Sequence, residues 1–144
     1  MATAPAVNGQ VIGMAHYATR AVAERLLPQG VTFHQALALN AAEAVGGTIE
    51  RGALIERLTG AVKLGLPAAE RTVAELTAAG LLEERPVNLL ALTADADALV
   101  QSYKAGVADI AAALYGDLPA EDLAAAGRVL TEVTARADAM LAAG

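Results

Sequence analysis

Apolar residues along this chain recur at helical spacing almost from end to end. Val11, Met14, Ala18, Val22 and Leu26 fall on one stripe at three- and four-residue intervals, which predicts a first helix from about Gly9 to Leu27. Asn8 is placed to cap it, and Pro28-Gln29-Gly30 ends it. Thr32 followed by Gln35 is a capping box, with the Thr hydroxyl serving first-turn amides and the Gln side chain reaching back. It opens a second helix of about Phe33 to Val45, stopped by Gly46-Gly47. A third helix is expected over about Arg51 to Gly60. Leu66-Pro67 opens a fourth, because proline at the first helical position loses no hydrogen bond. That helix runs to Ala79 with Ala69, Val73 and Leu76 as its buried stripe, and Gly80 supplies the left-handed residue that ends it.

The pattern then shortens. Leu81-Leu82-Glu83-Glu84 and Asn88-Leu89-Leu90-Ala91-Leu92 flank Arg85-Pro86-Val87 and read as a small hairpin. Thr93 caps a long fifth helix, about Ala94 to Tyr115, ended by Gly116. Its two uncharged stripes, Leu99-Tyr103-Gly106-Ile110 and Val100-Val107-Leu114, call for cover on more than one side. Gly106 weakens the helix by about 1 kcal/mol against alanine; close approach of a neighbour and a merely tolerated glycine both account for it. Pro119 opens the last helix, with Leu123, Ala126, Leu130, Val133, Ala137 and Leu141 in register. No repeat or long linker interrupts this order. The expected fold class is mainly α, six helices plus a short β-hairpin, as a single domain over 8–144 after a disordered tail at 1–7.

Composition sharpens the picture. Hydrophobic residues make up 56% and charged ones only 18% of the 144 residues, more apolar surface than a small monomer needs. A second chain is the natural cover, so a homodimer is expected. With aromatics at 3%, the core must be built largely of Ala, Leu and Val. There is no cysteine, which excludes disulfides, thiolate metal sites and a cysteine nucleophile and fits a reducing compartment. No stretch reaches the roughly 18 consecutive apolar residues of a membrane span, and Met1 to Val7 lacks the charge and apolar run of a signal peptide. The expected setting is cytoplasmic, without a membrane partner.

Candidate chemistry is sparse. His16 and His34 lie on different helices without metal-ligand spacing, so no metal is expected. Ser102 is the one serine and has no histidine near it in sequence. Asp95 and Asp97 are explained by the positive end of the fifth helix. No glycine-rich phosphate loop follows a strand. Neither an enzyme nor a cofactor is expected.

Four segments, in order, resemble the MarR family of winged helix-turn-helix regulators. Gly30-Val31-Thr32-Phe33-His34-Gln35-Ala36-Leu37-Ala38-Leu39 is similar to that family's G-L-T-x-x-Q-x-x-x-L, and Leu76-Thr77-Ala78-Ala79-Gly80-Leu81-Leu82-Glu83 to its L-x-x-x-G-L-[IV]-x. Leu90-Ala91-Leu92-Thr93 matches the strand that ends in L-T. Leu118-Pro119-Ala120-Glu121-Asp122-Leu123 is similar to L-[ST]-x-E-[ED]-L, with proline in place of Ser or Thr. The resemblance implies a winged helix at about 48–92 within a dimerising frame of helices at about 9–30 and 94–144. It further implies a recognition helix in the major groove of double-stranded DNA and a crevice for a small aromatic or phenolic ligand.

Three departures stand out. The connection Thr59 to Leu66 is about one helical turn longer than the family's tight turn. The recognition helix begins Pro67-Ala68-Ala69-Glu70-Arg71-Thr72, where a Ser/Thr-rich, basic start is usual. The wing is clipped and keeps only Arg85.

These residues define the candidate sites. Arg51, Arg57, Lys63, Arg71, Thr72 and Arg85 are the candidate DNA contacts, with Arg71 the side chain able to fork onto guanine. Between Glu50 and Leu92, however, five basic residues meet six acidic ones, for −1, and the chain carries −6 overall. Phosphate contacts supply most of the affinity for nucleic acid, so this is the unfavourable sign. His16, Tyr17, Arg20, His34 and Tyr103 are the candidate ligand-binding residues, where Arg and His can hold a carboxylate. The plain alternative leaves His16 and Arg20 in solvent or at a dimer contact and Tyr103 in the core. Two functions stay open: a ligand-responsive DNA-binding regulator, or a dimer of the same frame that has lost DNA contact and serves as a ligand-binding or protein-interaction module.

Overall fold

A computed structural model describes residues 5–144. Of the expected tail, residues 1–4 lie outside the described residues, while Pro5, Ala6 and Val7 are exposed and belong to no helix or strand. The element order is α1 (Gly9–Glu24), α2 (Phe33–Ala44), β1 (Thr48–Glu50), α3 (Arg51–Gly60), α4 (Leu66–Ala78), β2 (Leu82–Arg85), β3 (Leu89–Leu92), α5 (Ala94–Tyr115) and α6 (Ala120–Ala143). The six helices and the hairpin stand where the periodicity places them. The chain forms two compact units, residues 1–107 and 108–144, the division falling within α5.

In the first unit, helix starts are set by the expected side chains. Asn8 Oδ1 accepts from the Val11 amide at 2.9 Å. Thr32 Oγ1 accepts from the Gln35 amide at 3.1 Å while Gln35 Oε1 accepts from the Thr32 amide at 3.2 Å, closing the box at the head of α2. The Thr93 hydroxyl accepts from the Ala96 amide at 3.2 Å and donates to the Gly80 carbonyl at 2.8 Å. It therefore caps α5 and ties that helix to the corner where α4 turns into β2. Gly80 occupies the left-handed region there, with φ at +75°, a conformation that glycine adopts without steric cost.

Two expectations need correction. Helix α1 ends at Glu24 rather than Leu27, because the amides of Arg25, Leu26 and Leu27 bond to carbonyls three residues back, the tighter closure common at helix ends. The hairpin is also joined by a third strand. β1 pairs antiparallel with β3 (Thr48 with Ala91, Ile49 with Leu90, Glu50 with Leu89), giving the order β1-β3-β2. Ile49 is buried between exposed Thr48 and Glu50, and three residues show too little alternation to announce a strand.

The core gathers Leu39 from α2, Leu54 and Leu58 from α3, Val73 and Leu76 from α4, Leu90 from β3 and Val100 from α5. The stripe Ala69-Val73-Leu76 is wholly buried, as its spacing indicated. Gly106 marks a close approach: a Cβ there would lie 2.8 Å from both Leu26 methyl carbons. The α3–α4 connection closes with the Leu64 amide donating to the Leu58 carbonyl at 3.0 Å, and Lys63 takes the left-handed conformation (φ +64°) that this closure requires.

Helix α1 buries no residue, and Met14 and Tyr17 on it are 65% and 70% exposed. Its expected stripe is only partly covered: Val11 and Val22 are half-buried, while Met14, Ala18 and Leu26 are exposed. In the second unit α6 likewise buries nothing. Leu123, Leu130, Val133 and Leu141 are all exposed along it, and a shallow apolar groove of about 320 Å³ lies over Val129 and Val133.

Candidate functional site

The first candidate face is built by α3, α4 and the β2–β3 wing. Because Ala69, Val73 and Leu76 fix which side of α4 faces the core, Glu70, Arg71 and Ala74 are turned to solvent. Thr72 is not among them. It sits three residues after Ala69 and four before Leu76, on the inner stripe, at 7% exposure, and its hydroxyl donates to the Ala68 carbonyl at 2.8 Å. The candidate contact Thr72 is therefore corrected to a core-side residue of α4.

The arginines sort into two groups. Arg57 on α3 and Arg71 on α4 are exposed and make no ion pair among the described residues. Arg51 and Arg85 instead share a cleft of about 290 Å³ at the base of the wing, together with Glu84, Asn88 and Leu89. The Arg51 amide donates to the Asn88 carbonyl at 2.8 Å, which fastens the start of α3 to the wing turn. Arg85 is already engaged, with its guanidinium 3.5 Å from the Glu83 carboxylate. Lys63 stands at the α3–α4 connection, its ammonium meeting the Gly60 carbonyl. Glu70, Glu83 and Glu84 are exposed on the same elements, so the acidic excess of the sequence persists on this surface.

A second cluster forms where α1 meets the start of α2. The Arg20 guanidinium lies 4.5 Å from the centre of the Phe33 ring, and its Nε is 3.2 Å from the Glu24 carboxylate. Stacking on an aromatic face and pairing with a carboxylate are the two contacts a planar guanidinium makes best. His34 is half-buried beside this group. Burial holds its pKa below the ordinary imidazole value, the positive charge of Arg20 adds to that, and Glu24 opposes it. Tyr103 is buried, and both its burial and the charge of Glu24 push its phenol pKa upward.

The structure thus brings Arg20 and His34 together, while Tyr103 is buried and within the electrostatic influence of Glu24. It leaves His16 and Tyr17 on the exposed side of α1, stacked edge to face at 5.4 Å. Phe33 and Glu24 are members of this cluster that the sequence analysis did not single out. A Phe at the first position of a helix beside a neighbouring arginine was the available signal. Among the described residues no group of three or more His, Asp or Glu is placed to hold a metal ion.

A third feature is an open crevice of about 730 Å³ between the turn after α1 and the end of α4, lined by Pro28, Val31, Gln35, Glu75, Ala78 and Leu99 among others. In its wall Gln35 Nε2 donates to Glu75 Oε1 at 3.3 Å.

These elements define a winged helix-turn-helix: α3 and α4 as the helix pair, β2 and β3 as the wing, β1 completing the sheet. More specifically, the chain has the fold of the MarR regulators. It superimposes on a MarR mutant from E. coli complexed with operator DNA with a TM-score of 0.71, at 22% identity over 87% of this chain and 91% of that one. PcaV, a transcriptional regulator from Streptomyces coelicolor solved with its natural ligand, gives 0.73 at 21% identity, covering 95% of this chain and 99% of that one. BpsR of Bordetella bronchiseptica, whose DNA binding is regulated by 6-hydroxynicotinic acid, gives 0.70 at 20% identity over 91% and 98%. No protein-family model matches the chain, and no curated protein matches it by sequence. Among the described residues no helix is long and apolar enough to cross a membrane.

The lowered pKa of His34 has a consequence for stability. A histidine held neutral in the fold takes up its proton more readily when unfolded, so its contribution is fully present above about 6.5. That contribution is lost as pH falls through the lowered folded value. The melting temperature of the native protein should therefore decline below about pH 6.5, and His34→Gln should flatten that decline. Parallel curves for the two proteins would show that His34 does not carry it.

Proposed function

We propose that the protein is a homodimeric, DNA-binding transcriptional regulator that responds to a small aromatic or phenolic ligand, and that it is not an enzyme. The observation that carries this reading is the outward face of α4, where Arg71 stands in solvent directly opposite the buried stripe. Arg57 is exposed on α3, and Arg51 and Arg85 line a cleft at the wing. Recognition helices work by presenting a few side chains to base edges while flanking cations grip phosphate. A MarR-fold protein complexed with operator DNA and others regulated by or solved with small ligands support the assignment.

One observation favours a second reading, a dimer of this frame without effective DNA contact that acts as a ligand-binding or protein-interaction module. The wing's Arg85 is paired with Glu83, and acidic residues outnumber basic ones between Glu50 and Leu92.

Salt dependence separates the two. With Arg71 and Arg85 as the main contacts of each half, the slope of log affinity against log salt should be shallow, roughly −4 by counterion release. Arg71→Ala should cost roughly 1–3 kcal/mol and relax specificity at one position per half-site, whereas Arg85→Ala should weaken all sequences alike. Fluorescence anisotropy at low salt on DNA flanking the protein's own gene measures all three. No binding there, or binding indifferent to both substitutions, favours the second reading.

Dimerisation is proposed because α1 and α6 each bury nothing within their own units and carry exposed rows of large apolar side chains. Leu130→Asp would bury a carboxylate without a partner at a cost of several kcal/mol, by the usual price of such transfers. Sedimentation should then show dissociated or aggregated chains, against a dimer for the native protein. A native monomer at micromolar concentration refutes the dimer.

The ligand is assigned to the Arg20–Phe33–His34 cluster, whose guanidinium and apolar ring suit an aromatic carboxylate. Salicylate at millimolar concentration should raise the melting temperature by mass action, and Arg20→Ala should reduce that rise. An unchanged rise in the variant places the binding site elsewhere.

A further inference from the structure

We infer that Gln35 and Glu75 form a strut that sets the position of α4 against α2, and that this strut governs how well α4 reads DNA. The inference deepens the regulator reading and rests on it for its second half alone.

Gln35 is 8% exposed and uses both ends of its amide. Its oxygen accepts from the Thr32 backbone amide at 3.2 Å, and its nitrogen donates to the Glu75 carboxylate at 3.3 Å. The orientation is dictated by the partners, since a backbone N–H requires an acceptor and a carboxylate requires a donor. One side chain therefore belongs simultaneously to the capping box of α2 and to the last turn of α4, forty residues along the chain.

Glu75 has a reason to need that donor. It lies near the C-terminal end of α4, where the helix dipole is negative and a carboxylate is disfavoured. Among the described residues no cation pairs with it; Gln35 is the partner that its contacts show. The apolar side chains that these helices contribute to the core, Leu39 from α2 and Val73 and Leu76 from α4, pack nondirectionally and allow α4 to roll slightly about its axis. The directional Gln35–Glu75 hydrogen bond, anchored at the Gln35 end by the Thr32 amide, opposes that roll. A few degrees at the end of α4 alter where Arg71 points. The bond also forms part of the wall of the 730 Å³ crevice, so it is open to solvent along one side.

Gln35→Glu isolates the strut from the cap. Glutamate at this position still accepts from the Thr32 amide and is a normal capping-box residue, but it sets a second carboxylate against Glu75. Adding Glu75→Gln to the same chain reverses the donor and restores the bond, since the amide introduced on α4 can donate to the carboxylate introduced on α2. Glu75→Gln alone keeps an acceptor for Gln35 and serves as the mild control. Two measurements are made on the native protein and its variants: hydrogen exchange of peptides covering 66–78 relative to 33–44, and anisotropy on the DNA that the native protein binds. Gln35→Glu should speed exchange in α4 severalfold with α2 unchanged, and should weaken DNA binding by about tenfold, the size expected for a lost bond to a charged group. The double variant should recover both.

Exchange in α4 that does not respond to Gln35→Glu, or that the double variant fails to restore, overturns the strut. DNA affinity that stays constant while exchange changes overturns its role in recognition. A native protein that binds no DNA removes the regulator reading, and the exchange measurements then decide the strut by themselves. A Gln35→Glu chain that fails to fold is judged by the double variant: recovery of the fold there supports the strut, and continued failure overturns it.

Discussion

The first unit depends on one apolar junction. Leu39, Leu54, Leu58, Val73, Leu76, Leu90 and Val100 come from five different elements and meet with essentially no solvent between them. Most of those elements are short, and helices of 10–13 residues such as α3 and α4 do not persist in water without packing. Truncating any of the leucines to alanine would leave a void worth about 2–5 kcal/mol, a large share of what a small domain has to lose. Aromatic residues are nearly absent from this junction. Uniqueness must therefore come from directional contacts around it, such as the Thr32–Gln35 box and the Thr93 hydroxyl bridging Gly80 and Ala96.

Such contacts divide the labour between stability and orientation. The leucines decide that α2, α3, α4 and β3 come together; the polar side chains decide at what angle. Arg20 shows the same principle in the second cluster. Its guanidinium is held by Phe33 from one face and by Glu24 at its edge, so an otherwise flexible chain is fixed in one place. His34 inherits its electrostatic setting from that arrangement rather than from its own sequence neighbours.

Much of this was legible in the sequence where local rules act. The bounds of α3 and α5, the cap at Thr32 and the inner stripe of α4 follow from spacing and from hydrogen-bonding side chains a few residues apart. What was not legible depends on partners far along the chain. β1 exists because Ile49 meets Leu90, a pairing invisible in three residues. Thr72 is different: it was readable, since its place between Ala69 and Leu76 lies on the apolar stripe, but a polar residue beside Arg71 drew the reading outward. The ligand-site candidates split for a geometric reason. Arg20 and His34 lie where α1 and α2 approach, whereas His16 and Tyr17 are one turn too early on α1. Gln35 was recognised as half of a cap, and only the fold shows that its other end reaches α4.

The surplus of negative charge on the α3–α4–wing surface bears on how such a protein finds a target. A regulator with a broad basic face is held loosely along any duplex and scans it by sliding. Here Glu70, Glu83 and Glu84 stand beside the few exposed arginines, so a random stretch of DNA is met with little net attraction. On the proposed function, the search would proceed mainly by repeated encounters from solution, with brief residence on wrong sequences. Occupancy of the right site would then rest on the geometry of a few contacts, and very little protein would be sequestered by the rest of the chromosome.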